Sequence, residues 1–594
     1  GLTVPAKHFF SDPNHLVVTA LNSLTLTNPS LALDKQNKII FRRPDAAPRR
    51  ANKVSIVTGG GSGHEPAFAG FVGHGLCDAS VAGTIFASPS AEQIRRAAID
   101  RVPTENGVLI IPMNYTGDVL NFGMAAEKSR AAGIQTEFFA INDDVGVGRV
   151  KGGKVGRRGI GGGVLILKMV GALAEAGGSL DDVYALAQLA NKNLVSLGSS
   201  LEHVHVPGRG VPEESIPHGE VEIGMGIHNE PGSHRTKFNL VGLVQGMLLQ
   251  LLDHNDPDRC YVTRKPEDKF VLLINNLGGV SPLELAGITD EVYRQLQQDY
   301  EVNMVRVIQG TFLTSLNGLG FSISLMKLVD PGFGAGKSML ELLDAPAEAV
   351  GWSAPINTST WDNRSDEPVE LKDSNFTEDI HSNLQLDPEI VKNVLSAGLD
   401  RVIRAEPEVT RYDTIVGDGD CGIGLKRGAE AILTLLNDTS APITSDLLLT
   451  LARIVTVVEN VMDGTSGAIY AIFLNALAHG LREQDTSSPT PVTTEIWAQA
   501  LRSSIDALGK YTPAKKGDRT LVDALAPFIE TLSETGEVRV AAAAAQQGTE
   551  STKAMKASLG RSVYVGGEAS WVGKVPDPGA HGLSEFLTGL AEAI

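Results

Sequence analysis

Three cysteines in 594 residues, Cys77, Cys260 and Cys421, are too few and too scattered for a disulfide framework or a thiolate zinc site. They suit a reducing compartment. No apolar run approaches the ~20 residues that a membrane-spanning helix needs. The first residues lack the basic and apolar pattern of a secretory signal. The last four, Ala-Glu-Ala-Ile, are not a peroxisomal tail, so cytoplasm is the expected location. Positive charge is also short. A net charge of -19 disfavours nucleic acid and anionic membranes as partners. It does not exclude a nucleotide, because a phosphate site is local. What is abundant is ordinary core material, 42% apolar residues with 20% charged, which argues against disorder. A chain of this length predicts about two to four domains.

From about residue 53 to residue 330, strand-like runs alternate with helical patterns. Residues 107–113, 136–142, 221–227, 270–275, 304–308 and 321–325 read as strands. Residues 119–132, 163–176, 240–252 and 282–298 read as helices. Ser179, with Asp182 three residues on, resembles a capping box and opens a helix expected to run through Leu197. The rhythm predicts an α/β domain with two lobes and mixed or largely parallel sheet. It breaks near Gly351. Residues 353–379 are rich in Asp, Asn, Ser, Thr, Glu and Pro with little apolar periodicity, which marks a linker. Beyond it, residues 388–405, 425–436, 445–462, 468–482, 494–508, 520–533 and 541–555 are helical, with no strand between them. The expected organisation is an α/β domain over 1–352, a linker over 353–384 and an all-α domain over 385–594.

Four stretches carry candidate chemistry. The first is Thr58-Gly59-Gly60-Gly61-Ser62-Gly63-His64-Glu65-Pro66. It follows a strand at 53–57 and precedes what reads as a helix start at 67–72. Glycines let backbone approach a ligand closely, and a helix N-terminus would aim free N–H groups at it. His64 can exchange protons near neutral pH. The second, Asn114-Tyr115-Thr116-Gly117-Asp118, ends a strand, where ligands of open α/β sheets bind. Asp118 reads equally as a helix N-cap or first-turn acid and as an acid/base partner of His64. The third, Gly224-Met225-Gly226-Ile227-His228-Asn229-Glu230-Pro231-Gly232, places a histidine at a strand end before a Pro-Gly turn. On its own, an ordinary turn histidine is the better reading. The pair His203 and His205 has the same-face spacing of a strand metal site, but no third ligand is evident, and two polar rings facing solvent are the better reading. Gly334-Ala335-Gly336-Lys337-Ser338 imitates the end of a phosphate loop. The leading glycine would fall at Pro331, and we reject it.

The fourth stretch is the most specific. Asp413, Asp418 and Asp420 fall within eight residues of a glycine-rich loop. Their mutual repulsion is costly unless a cation sits among them, and hard oxygen ligands suit Mg²⁺ or Ca²⁺. Mg²⁺ held by few carboxylates keeps positions for substrate phosphates. Nearby, Gly464-Thr465-Ser466-Gly467 opens a helix suited to phosphate. Together these features predict phosphoryl transfer from a nucleotide to a small molecule.

These four motifs, in this order, resemble the ATP-dependent dihydroxyacetone (glycerone) kinases of the fused two-domain type, over nearly the whole chain. The resemblance implies ATP and Mg²⁺ as cofactors and an eight-helix barrel for the nucleotide domain. It implies that the triose carbonyl forms a hemiaminal with His228, that Asp118 is the general base and that His64 assists. Gly61, Ser62 and Gly63 match substrate-loop positions, and Met113 stands at a further substrate-binding position. Asp413, Asp418 and Asp420 match the Mg²⁺ ligands. Cys421, Gly422, Ile423, Gly424, Thr465, Ser466, Thr512, Leu521, Arg561, Asp577, Pro578 and Gly579 match nucleotide contacts. Dihydroxyacetone, and D-glyceraldehyde beside it, are the implied substrates. A homodimer with domains exchanged between chains is the implied assembly. Two departures stand out. Met113 replaces the Lys of many relatives, and Asp463 stands where others have Gly. Competing functions are an FAD-splitting lyase that forms cyclic FMN, a non-catalytic triose sensor and a subunit fed by a phosphotransferase relay.

Overall fold

Apolar runs of the first half build two six-stranded sheets. The computed structural model describes residues 8–46, 52–209, 215–332, 336–374, 380–557 and 571–594. The strands of the first sheet are β1 (Leu31–Asp34), β2 (Ile39–Arg42), β3 (Ser55–Ser62), β4 (Ala79–Ile85), β5 (Val108–Ile110) and β6 (Thr136–Phe138). They lie in the order β1-β2-β4-β3-β5-β6, parallel from β4 through β6 and antiparallel at the β1-β2-β4 edge. The second sheet contains β7 (Leu194–Ser200), β8 (Glu220–Ile223), β9 (His234–Lys237), β10 (Lys269–Asn276), β11 (Asn303–Gly310) and β12 (Gly320–Leu328). Their order is β11-β10-β12-β7-β8-β9, and only β10 and β11 run parallel. Both sheets are therefore mixed.

The helix Gly163–Glu175 is apolar except for Lys168 and its last residue, and buried along almost its whole length. Such a helix must be covered all round. Its Leu165 and Met169 share one core with Leu109 and Ile111 from the first sheet and with Val271, Leu273 and Met326 from the second. Burying each such side chain contributes about 1.5–3 kcal/mol before entropy is counted. This shared core packs the two lobes against each other.

Three expectations need correction in this unit. The glycine run is strand, not loop: Gly59 and Gly60 pair with Val81 and Ala82 of β4. A methyl on Gly59 would lie 2.2 Å from the Val81 carbonyl oxygen, and one on Gly61 would lie 2.7 Å from the Ala87 nitrogen. These glycines permit close approach of backbone to backbone. Residues 67–72 do not begin an α-helix but hold only the short 3-10 turn Ala69–Phe71, so there is no helix N-terminus there. The helix capped by Ser179 stops at Lys192, and Leu194–Ser200 is a central strand of the second sheet.

The chain divides into two compact units, Gly1–Glu367 and Pro368–Ile594. The second unit is helical. A two-residue parallel bridge, Leu384–Gln385 with Thr490–Pro491, is an unforeseen exception. Its helices are Pro388–Val416, Cys421–Leu436, Leu447–Val461, Gly464–Arg482, Thr494–Leu508, Val522–Thr535, Val538–Ser551 and Pro578–Glu592. Each packs against the next, and the last packs against the first. The ring so closed is an eight-helix barrel among the described residues. The first helix runs through Pro407, so Asp413 stands in its final turns and not in a loop. No helix among the described residues is long and apolar enough to cross a membrane.

Candidate active site and candidate metal centre

In the α/β unit, three elements deliver titratable side chains to one cleft. His64 leaves the end of β3 and is 1% exposed. Its Nδ1 lies 2.8 Å from the Thr314 carbonyl oxygen, which can only accept, so Nδ1 carries the proton. Its Nε2 meets Nε2 of His228 at 3.1 Å. Burial and the facing His228 ring push the His64 pKa down to about 3, leaving it neutral. Phe86, itself at φ 61°, stacks on His64. Phe86 and Tyr115 both present their rings edge-on to His228, with centroids at 5.5 and 4.5 Å. The Tyr115 hydroxyl donates to the Gly159 carbonyl at 2.7 Å. The walls around His228 are thus fixed, largely apolar surfaces.

Asp118 sits in the first turn of the helix Thr116–Ala131, whose N-cap, Tyr115, makes no side-chain cap bond. Asp118 does not cap the helix. It is buried, its Oδ1 has no hydrogen-bond partner, and burial pushes its pKa up to about 6 against the opposing pull of Ser88 and His228. A carboxylate in that state is suited to take a proton near neutral pH. It adjoins Gly60, where a methyl would lie 3.7 Å from Oδ2.

The other substrate positions differ in what they present. The Ser62 hydroxyl donates to the Gly83 carbonyl at 2.8 Å and is buried. Gly63 accepts from the Leu316 N–H at 2.7 Å, and a methyl on it would strike the Phe86 ring. Met113 is 1% exposed, with its thioether against Gly159 and Gly163 in the core.

Sequence reasoning passed over Glu230. Its Oε1 accepts from Nδ1 of His228 at 2.8 Å. Asn229 makes this possible by adopting a left-handed φ of 63°, a conformation Asn tolerates better than most residues, which folds the chain back under the ring. Burial opposes ionisation of Glu230, but His228 and Arg158 outweigh it and hold its carboxyl below the ordinary range. The available signal was an acid two residues after the histidine. Thr314 left no signal, since it lies 250 residues from His64.

In the helical unit, a sharp turn after Val416 brings Asp418 and Asp420 back onto Asp413. Gly419 enables it with a φ of 82°. One oxygen from each of the three carboxylates lies within 4.8 Å of the others, with Asp413 buried and the other two exposed. Asp413 also accepts from the Cys421 N–H at 2.9 Å, which ties the cluster to the start of the next helix. The hydrogen bond that protonated Asp420 can donate to Asp418, together with burial and the repulsion of Asp418 and Asp413, raises the pKa of Asp420. A hard divalent cation would relieve that repulsion, and an all-carboxylate donor set fits one.

Among the candidate nucleotide contacts, Cys421 bonds to Ser466 and feels the charges of Asp413 and Asp577. Burial pushes Asp577 up to about 7 while its side chain caps the helix Pro578–Glu592. A methyl on Gly579 would lie between Asp577 and Leu521. Gly422 is closed off by Thr410, whereas Ile423 is exposed and Gly424 faces open space. Thr465 and Ser466 open the helix Gly464–Arg482. Asp463, before that helix, pairs with Arg427 at 2.7 Å, which offsets its charge. The Thr512 hydroxyl accepts from the Ala514 N–H at 3.3 Å, a local turn bond. Arg561 lies outside the described residues.

Comparison with known proteins covers both units. Residues 22–351 match the Dak1 domain family and residues 415–592 the DAK2 domain family. Dihydroxyacetone kinase 2 of Saccharomyces cerevisiae is 42% identical over 99% of each chain. Triokinase/FMN cyclase of Homo sapiens is 34% identical over 97% of each. The solved dihydroxyacetone kinase of C. freundii in complex with AMP-PNP and Mg²⁺ aligns with a TM-score of 0.76 at 29% identity, over 99% of this chain and 100% of its own.

Proposed function

Because this chain belongs to the dihydroxyacetone kinase family, we propose that it transfers the γ-phosphate of ATP to dihydroxyacetone, and to D-glyceraldehyde, giving the triose phosphate. One observation carries the reading. His64 and His228, 164 residues apart in sequence, meet in a buried cleft that also receives the unpartnered carboxylate oxygen of Asp118.

The chemistry follows from those groups. Glu230 holds the Nδ1 proton of His228, so Nε2 is the nitrogen available to bond the substrate carbonyl carbon as a hemiaminal. Covalent capture fixes a small, weakly binding triose in one place and selects carbonyl compounds over glycerol. Asp118 accepts the proton of the hydroxyl that attacks phosphorus, and His64 assists at the adduct oxygen. In the helical unit, Asp413, Asp418 and Asp420 would hold Mg²⁺, which neutralises nucleotide phosphate charge when bound. Cys421 to Gly424, Thr465, Ser466, Thr512, Leu521 and Asp577 to Gly579 would line the nucleotide. A homodimer working in the cytoplasm belongs to the same proposal.

Steady-state kinetics with ATP and either triose test it. ATP-dependent formation of triose phosphate is the expected result, and absence of turnover with both substrates refutes the proposal.

A further inference from the structure

We propose that Glu230 is a positioning residue that fixes which nitrogen of His228 bonds the substrate, and then stabilises the cation that the bond leaves on the ring. The inference rests on the reading of His228 as the hemiaminal residue and goes beyond it.

The carboxylate is anchored at several points. Oε1 faces Nδ1 of His228 at 2.8 Å, and Oε2 accepts from the His228 backbone N–H at 3.3 Å. Oε2 also lies 3.8 Å from Nη1 of Arg158. Arg158 is itself held, with Nε 3.0 Å and Nη2 2.8 Å from Oδ2 of the fully buried Asp144. Its Nη2 donates to the Gly224 carbonyl at 2.7 Å. Asp144 in turn accepts from the Gly146 N–H at 2.8 Å. Gly226 leaves the space: a methyl there would fall 1.4 Å from Oε2 of Glu230 and 2.9 Å from Nη1 of Arg158. Glu230 is therefore aimed by a chain of charged groups that ends on backbone.

That placement decides the proton inventory. A carboxylate only accepts, so Nδ1 of His228 keeps its hydrogen. Nδ1 of His64 is likewise committed to the Thr314 carbonyl. With Nδ1 holding the hydrogen, Nε2 of His228 carries the free lone pair, 3.1 Å from Nε2 of His64. When substrate enters, Nε2 of His228 bonds the carbonyl carbon as the C=O π bond breaks. The carbonyl oxygen takes up one proton from solvent by way of His64 and becomes a hydroxyl. One proton therefore enters the site as the adduct forms. The ring retains its Nδ1 hydrogen and a positive charge, opposite the Glu230 carboxylate.

The test uses the full chain and dihydroxyacetone labelled with ¹³C at C2, whose resonance moves from the carbonyl to the tetrahedral region in the adduct. Glu230→Gln keeps an acceptor but removes the charge. Charge-assisted hydrogen bonds are about twice as strong as neutral ones. The tetrahedral signal at fixed substrate is therefore expected to fall roughly ten-fold, and KM for dihydroxyacetone to rise comparably, with KM for ATP unchanged. A wild-type adduct population in Glu230→Gln overturns the inference. If that variant does not fold, Glu230→Asp carries the same test, because withdrawing the carboxylate by one methylene must also weaken the adduct, and an undiminished signal again overturns the inference. Absence of any tetrahedral resonance in the wild type, or its persistence in His228→Ala, refutes instead the reading of His228 on which this rests.

Discussion

Asp118→Asn is expected to inactivate the enzyme and to stabilise its α/β unit. Asp118 is 7% exposed with one oxygen unpartnered. Burial lifts its pKa from 3.8 to about 6. At about 1.4 kcal/mol per pKa unit, carrying a charge there costs about 3 kcal/mol relative to the unfolded chain. The sign is the reverse of that for a salt-bridged acid. The folded carboxyl holds its proton more tightly than the unfolded one, so acidification from about pH 6 to about pH 4 strengthens the fold. Above that window the penalty is complete. The amide removes the charge but brings N–H donors that lack a full set of acceptors, which returns about 1 kcal/mol. The net gain is about 1–2 kcal/mol near pH 7.5 and close to zero near pH 4.5. Hydrogen exchange of the helix Thr116–Ala131 at both pH values measures it locally. Loss of a general base lowers kcat by about 10²–10⁴-fold. Turnover within ten-fold of wild type would refute the role in proton transfer. Equal stability shifts at both pH values, or destabilisation at pH 7.5, would refute the buried-charge argument.

Gly226→Ala should raise KM for dihydroxyacetone by about ten-fold, because the methyl displaces Glu230 and breaks a hydrogen bond to a charged group worth about 1.5–3 kcal/mol. Isothermal calorimetry with ATP should meanwhile give unchanged affinity, and a triose KM within two-fold of wild type would count against the Glu230 geometry. Asp418→Ala should remove the Mg²⁺ dependence of ATP binding, measured by titration with and without the metal. An ATP affinity equal to that of wild type under both conditions would contradict the assignment of the carboxylate cluster.

Much of the architecture could be read from periodicity. Residues 240–252 and 494–508 emerge as helices with those limits, because each has a wide apolar face and a capping residue, Asn239 or Thr493. The failures have physical causes. Leu194–Ser200 follows its helix after a single residue, Asn193, so a continuous apolar pattern conceals a change of period from 3.6 to 2. The glycine run of β3 looks like a loop because strands rarely tolerate glycine. Here a neighbouring backbone demands it. Pro407 suggests a helix end, yet the helix continues to Val416. At the cleft, His64 and Asp118 stood out from their motifs. The importance of His228 comes only from family resemblance, because the His64 ring it meets and the Arg158 that holds its neighbour Glu230 converge on it through tertiary folding that local spacing does not encode.

The ring of helices also bears on how the protein is made. Its closing contact joins Pro578–Glu592 to Pro388–Val416, a helix synthesised long before it. Asp577, which caps that closing helix, is electrostatically coupled to Asp413 and Cys421. A nascent chain that has emitted the aspartate turn but not the final helix presents three repelling carboxylates on an open arc. Pairing elements so distant in sequence is slow. The carboxylate turn is thus translated before the helix that completes its ring, and until that helix docks the apolar face it covers stays open to solvent.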